Sequence, residues 1–373
     1  MRPIALPMLD IHTVSAGGGT IARIDAVGGL HVGPDSAGAD PGPVSYDRGG
    51  AEITVTDANI VTGVLDPDQF LGGKMKLNKP RAEKLLEEKI AKPLGLDSLE
   101  AADGVLKIIN VKMEEAIKAV SSARGYDIRD FTLVAFGGGG PMHAGRMALD
   151  LGIPSVLVPL TPGVHSALGL LMSDVKHDYV RSKLAGLEEL DINEINRMFL
   201  QLIDQARAEL HGEGFHDDEI KIEAYLDLRY AGQGYELTVP CPMPPLSHDD
   251  LVLMRRRFDT LHEQNSGHKA ETEPVELVSL RLVSLGLVPQ AKLSPGKITG
   301  RKVEAAKTGE RKVFFGKEHG ILATAIYDRK LLEPGHKIFG PAIVEQMDTT
   351  TVIHPEQEAI VDEYGNIIIK EKA

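Results

Sequence analysis

The sequence predicts an α/β protein that continues into α+β and β-rich segments, and three observations carry that expectation. Residues 131–136 form an apolar run without charge that breaks at four consecutive glycines, after which Pro141 suits the first turn of a helix. A second apolar run at 155–158 closes a strand–turn–helix–strand unit, the signature of a parallel sheet buried on both faces. Further along, Ile220, Ile222, Ala224, Leu226, Leu228 and Tyr230 alternate, and Tyr235, Leu237 and Val239 resume the alternation after Ala231-Gly232-Gln233-Gly234. That pattern predicts a hairpin. The tail, 313–369, is a series of short β segments separated by Pro and Gly.

The remaining elements follow in order. Residues 1–73 are crowded with Gly, Asp and Pro and predict short strands joined by tight turns and long loops. The spacing then predicts a helix over 79–92, with Leu85, Leu86 and Ile90 on one side and a stop at Pro93 and Gly95. Asp97 and Glu100 have the capping-box spacing. The helix they open carries Val105, Ile108, Ile109, Met113, Ile117 and Val120 on one face and ends near Gly125. Two more helices are expected over 191–212 and 247–264, and a strand over 275–288. Residues 289–312 are basic and poor in large apolar side chains, which reads as a solvated linker, with an anion-binding role as the alternative. These shifts divide the chain into 1–185, 186–290 and 291–373.

Composition narrows the function. Lys and Arg total 41 against 54 Asp and Glu, a formal charge of -13, which argues against a general binder of nucleic acid or anionic membrane. One cysteine, Cys241, forms no internal disulfide and no thiolate zinc site. The first ten residues lack a basic start followed by an apolar run. The apolar stretch at 153–172 is interrupted by Pro154, Pro159, Pro162 and His165, so no membrane span is expected and the cytoplasm is the expected compartment.

Two glycine clusters are the strongest chemical signals. Gly17, Gly18 and Gly19 precede Thr20, and such a run lets successive amide N–H groups turn toward one anion while a hydroxyl adds a donor. Gly17, Gly19 and Ala22 also match a dinucleotide fingerprint, which requires a helix from Thr20 that Gly28-Gly29 would end almost at once. Gly137, Gly138, Gly139 and Gly140 have a strand before and a helix after, so helix-terminal amides could meet a phosphate or ribose; the alternative is a close-packed turn. A Walker loop, a G-x-S-x-G elbow and a zinc-protease helix are all absent. Asp10 and His12 share a face if they lie on a strand, and they are candidate proton handlers. Asp40 and Asp57 are candidates for substrate contact, with a turn or cap role as the alternative. No metal-ligand set is expected.

Taken together, LDIHTVSAGGGTIARID (9–25), VGPDSAGADPGP (32–43), TVTDANIVTG (54–63) and LVAFGGGGPMHAGRMA (133–148) resemble the hydantoinase A/oxoprolinase family. So do PGVHSALGLLMSD (162–174), DLRYAGQGYEL (227–237) and FGPAIVEQMDTTTVI (339–353). The resemblance implies half of an actin/Hsp70/sugar-kinase-like ATPase fold, followed by the α+β and β-rich domains. It implies that Gly137 to Gly140 with Met142 form an adenosine-side turn, that Gly17 to Gly19 and Thr20 lie toward the phosphates, and that Asn110 reaches toward the base, with a helix-boundary role as the alternative for Asn110. Family members are about twice this length, and their N-terminal half holds two D-x-G-G-T hairpins that grip phosphates and magnesium. The chain is therefore expected to be a component of an ATP-dependent cyclic-amide hydrolase, using ATP and Mg. The magnesium ligands would come from a separately encoded N-terminal half. A hydantoinase B-type subunit and a small cyclic amide or ketone are the other expected partners. The alternatives are a ketone carboxylase subunit, a non-catalytic nucleotide-binding remnant and, from the fingerprint match, a dinucleotide-dependent oxidoreductase.

Overall fold

A computed structural model describes residues 11–290 and 292–372. These fall into two compact units, one of residues 170–290 and one of residues 11–169 with 292–372.

The second of these units begins with an antiparallel hairpin, β1 (Thr20–Ile24) and β2 (Leu30–Ser36). Asp25 closes it by accepting from the amides of Val27 and Gly29. A strand at Thr20 removes the dinucleotide alternative, because that fingerprint needs a helix there. Helix α1 (Val55–Val61) starts at a reciprocal capping box of Thr54 and Asp57. Helix α2 (Lys79–Leu86) continues through a π-helical turn, Glu87–Ala91, and the chain turns at left-handed Gly95. Helix α3 (Ser98–Val120) is capped by Asp97, whose side chain accepts from the Glu100 amide at 2.8 Å. The expected box is only half formed, since the Glu100 carboxylate pairs instead with Lys317 at 2.8 Å. Val32, Ile53, Ala58, Leu86, Ile90, Val105 and Ile109 pack together as this region's core. Each fully buried Leu or Ile there contributes about 1.5–3 kcal/mol. Next come β3 (Thr132–Val134), α4 (Gly140–Leu151) and β4 (Ser155–Val158).

The unit of residues 170–290 is built from β5 (Val175–Gly186), α5 (Ile192–Gly212), β6 (Ile220–Tyr230), β7 (Leu237–Cys241), α6 (His248–Ser266) and β8 (Val275–Gly286). Its sheet has the order β5-β8-β6-β7 and is antiparallel throughout, with the expected β6–β7 hairpin. Phe199 and Leu202 from α5 and Met254 and Phe258 from α6 share one core with Leu226, Leu228, Leu280 and Leu282 of the sheet. Asp227, at 1 % exposure, lies inside β6 but keeps its charge satisfied by Thr238, Ser279 and Arg281.

The chain then returns to complete the other unit with β9 (Lys307–Phe314), β10 (Ile321–Asp328), β11 (Lys337–Phe339), β12 (Ala342–Glu345), β13 (Thr350–Ile353), β14 (Gln357–Val361) and β15 (Ile367–Glu371). One sheet has the order β13-β12-β10-β9 and another β11-β14-β15-β4-β3. Two expectations are corrected here. β3 and β4 are parallel, but β4 pairs antiparallel with β15, so the sheet is mixed. β3 is its edge strand, with Val134 46 % exposed and Phe131 and Phe136 also half exposed, so an uncharged run does not mark a strand covered on both faces. The basic linker is also shorter than expected, since β9 already starts at Lys307.

Arg311, counted in that linker, is in fact a clamp. It donates to the carbonyls of Gly63 and Val64 and to Asp66 (2.8 Å) and Glu345 (2.9 Å). A planar guanidinium can serve four acceptors on two segments where an ammonium cannot. Arg311→Met therefore leaves two neighbouring carboxylates without their cation and is expected to lower unfolding stability by about 2–3 kcal/mol. Arg311→Lys should recover less than half of that, both read from urea unfolding.

Candidate functional site

The two glycine segments meet. A cavity of about 240 Å³ is lined by Gly18, Gly138, Gly139 and Met142, together with Thr56, Tyr46, Phe70, Asp66, Asp348 and Thr349. Local bonding explains the convergence. The amide of Thr56, in the first turn of α1, donates to the Gly18 carbonyl at 2.9 Å. A Cβ on Gly18 would sit 2.6 Å from Thr56 Oγ1, so only glycine allows that approach. On the far side, Gly137 leaves β3 with φ of +77°, a conformation that favours glycine. The Gly137 amide is tied to the Pro162 carbonyl at 2.8 Å, and the Gly138 carbonyl accepts from Thr349 Oγ1 at 3.0 Å. These ties aim the start of α4, with its uncompensated amides, at the cavity.

The other candidates read from the amino-acid order fall elsewhere or have their polar atoms engaged. The Gly17 amide donates to Thr20 Oγ1 at 2.9 Å, so that hydroxyl is used inside the turn, and Thr20 is buried. The Gly19 carbonyl accepts from Ala37. Gly140 is the first residue of α4 and does not line the cavity. The Asp57 carboxylate is fully buried and accepts from the amides of Val44, Ser45 and Thr54 and from Thr54 Oγ1. Asp40 is exposed in the turn after β2, and His12 is exposed ahead of β1. Asp10 lies outside the described residues.

Asn110 belongs to a second cavity of about 150 Å³, whose lining includes His143, His354, Asn59, Leu106 and Phe315. Met142 lines both cavities. His143 Nδ1 lies 2.8 Å from Asn110 Oδ1 in a buried pair, and burial pulls its imidazole down to about 4. Burial does the same to His354. Sequence reasoning missed Asp66, Phe70, Asp348 and Thr349 at the first cavity and both histidines at the second. The last two first-cavity residues sit in the stretch FGPAIVEQMDTTTVI, which was a usable signal; the histidines carried no spacing to single them out.

The residues at the first cavity do not form a magnesium site. Asp66 and Glu345 are held by Arg311, and Asp348 accepts from the Gly163 amide at 2.9 Å. Among the described residues no group of three His, Cys, Asp or Glu side chains could hold a metal ion. Among the same residues no helix is long and apolar enough to cross a membrane.

A strand–glycine turn–helix opening onto a cavity beside a second glycine segment defines an α/β protein with a ligand cleft, and comparison with known proteins says which. The chain belongs to the hydantoinase/oxoprolinase family: the profile of that description matches residues 1–179, and the profile of its C-terminal domain matches residues 187–372. An uncharacterized protein of Methanocaldococcus jannaschii is 40% identical over 99% of this chain and 52% of its own length. The gamma subunit of acetophenone carboxylase from Aromatoleum aromaticum is 36% identical over 98% of this chain and 51% of its own. The crystal structure of an ATP-dependent caprolactamase from Pseudomonas jessenii superposes with a TM-score of 0.83 at 33% identity, covering 99% of this chain and 54% of that one. The chain thus spans about half the length of these relatives.

The buried His143 makes the site acid-sensitive. Its folded value of about 4 lies below the ordinary 6.5, so the unfolded chain binds the proton first. The neutral pair stabilises the fold fully above about pH 6.5, and this is lost progressively as pH falls toward 4. Urea unfolding should show a loss of about 3 kcal/mol from this residue across that window, at about 1.4 kcal/mol per unit. His143→Gln should remove about half of the slope, the remainder belonging to His354.

Proposed function

We propose that this chain is the adenosine-side part of an ATP-dependent cyclic-amide hydrolase, one wall of an actin-like clamp, and that the cavity at Gly18, Gly138, Gly139 and Met142 receives the nucleotide. The observation that carries the reading is the convergence of two glycine segments, far apart in sequence, on one cavity at the start of a helix. The likeness to an ATP-dependent caprolactamase supports both the nucleotide and the substrate class.

In this reaction the amide carbonyl oxygen attacks the γ-phosphorus of ATP and ADP leaves. Water then adds to the activated carbon, the C–N bond breaks to free the amine and leave an acyl phosphate, and a second water hydrolyses that to carboxylate and phosphate. The amide of Gly139, at the start of α4, would offer a donor to the bound nucleotide. The likeness to a carboxylase gamma subunit favours a second reading, in which the same phosphorylation converts a ketone to its enol phosphate.

The other wall is proposed to come from residues outside this sequence, with a B-type subunit beside it. Two observations support it: the chain spans about half of its relatives, and among the described residues β3 ends its sheet with no further strand beside it and with half-exposed apolar neighbours. The carboxylates lining the first cavity are engaged within the chain, so the cation is assigned to that wall.

Gly138→Leu tests the nucleotide site. A Cβ there meets only the Asp348 carbonyl, at an ordinary 3.5 Å, so the fold should keep its stability within about 1 kcal/mol. The added side chain should enter the cavity and weaken binding of a fluorescent ATP analogue at least tenfold; unchanged affinity refutes the site. The isolated chain should hydrolyse ATP negligibly with magnesium present, and a measurable rate would overturn the two-wall reading.

A further inference from the structure

Part of the first cavity is built from neutral, mostly apolar side chains. Leu65, Phe70, Leu71 and Met347 belong to its lining, and the Phe70 ring is tilted against Tyr46 at a centroid distance of 5.7 Å. Among the described residues no Lys, Arg or His lines the cavity, whereas Asp66, Glu345 and Asp348 do. Arg311, which Asp66 and Glu345 share, is not in the lining. A phosphate chain lying against these residues meets carboxylates and no cation. A flat neutral ring instead covers apolar surface and loses no charge from water.

The turn that carries Phe70 and Leu71 is held in a costly shape. Leu71 has a φ of +53°, in the left-handed region that a leucine rarely adopts. It is 46 % exposed, so burial in the core does not offset that cost. The turn is fixed by its own bonds: the amides of Gly72 and Gly73 donate to the Gln69 carbonyl at 3.0 and 3.2 Å, and the Leu77 amide donates to the Pro67 carbonyl at 2.8 Å. A Cβ on Gly72 would sit 3.1 Å from Met347 Cγ, which shows how closely the turn lies against that side of the cavity. A strained turn that spreads an apolar side chain over a cavity wall is the kind of local cost that functional sites retain. Gln69 precedes Phe70 in this turn, is exposed and lines the same cavity. Its carboxamide offers an acceptor and a donor side by side.

We infer that this wall receives the adenine ring of the nucleotide, flat against Phe70 and Leu71, with Gln69 reading the edge of the ring. The Gln69 carbonyl accepts from the exocyclic amino group, and its amide N–H donates to a ring nitrogen beside that group, the paired bonds a carboxamide makes with adenine. Stacking on the Phe70 ring supplies the rest of the contact. The inference rests on the nucleotide reading given above and adds to it the residues that hold the base.

The test is displacement of a fluorescent ATP analogue from the full chain by unlabelled adenosine, by purine riboside, which lacks the amino group, and by inorganic tripolyphosphate. Adenosine is expected to compete, purine riboside to be weaker by about fivefold, and tripolyphosphate not to compete. In Gln69→Leu the two nucleosides should fall within about twofold of each other, because the bond that separates them is gone. A purely structural Gln69 would leave their ratio unchanged. Phe70→Leu, which keeps an apolar side chain and removes the ring, should weaken both nucleosides by about fivefold or more and leave their ratio as it is. Thermal unfolding identifies a Phe70→Leu chain that fails to fold, and the exposed Gln69 then carries the test. Equal affinity of the two nucleosides in the native chain, an unchanged ratio in Gln69→Leu, or competition by tripolyphosphate as strong as by adenosine overturns the inference. Gly138→Leu titrated in parallel separates the two claims. If that substitution weakens the ATP analogue while the Gln69 ratio does not move, the base assignment falls and the nucleotide cavity stands. If the native chain binds no nucleotide, both fall.

Discussion

The carboxylate of Asp57 organises the ligand-facing part of the larger unit. It is fully buried, and a charge in that position is tolerated only where hydrogen bonds replace its water. Four do so, from the amides of Val44, Ser45 and Thr54 and from the Thr54 hydroxyl. One side chain thereby joins the loop after β2 to the start of α1. The start of α1 in turn holds Thr56 against Gly18, and so sets where the first glycine segment lies at the cavity. Asp57 acts on the site without touching it.

A second clamp works from the other end of the chain. Arg311 of β9 ties the segment after α1 to Glu345 of β12, and both segments contribute lining residues to the first cavity. The two carboxylates it holds are oriented together, and the one guanidinium offsets part of their charge. On the nucleotide reading proposed above this matters, because two carboxylates without their cation there would repel phosphate. Between the cavities stands Met142, just inside the first turn of α4, where the same turn presents amides to one side and His143 to the other.

Much of the architecture was legible. The hairpin of β6 and β7 follows from period-two alternation across a glycine-rich turn, and α3, α5 and α6 follow from apolar faces bounded by Asp97, Asp191 and Ser247. The glycine turn before α4 was readable as a helix entrance, and residues of both clusters do line one cavity. What misled was local evidence for global facts. An uncharged run at β3 reads the same whether the strand is central or at an edge, because burial depends on which strands arrive beside it. Lys307 to Lys312 look solvated by composition, yet β pairing with Ile321–Asp328 draws Arg311 inward.

By itself the amino-acid order determined the family, the element types and the two glycine segments, since these depend on residue identity and short-range spacing. Only the tertiary structure decided that Asp57 is a buried node, that Asn110 pairs with His143, and that His354 faces the same cavity from the opposite end of the chain. The reason is physical. A polar group's role depends on which partners reach it and how much water is excluded, and both are set by segments hundreds of residues apart.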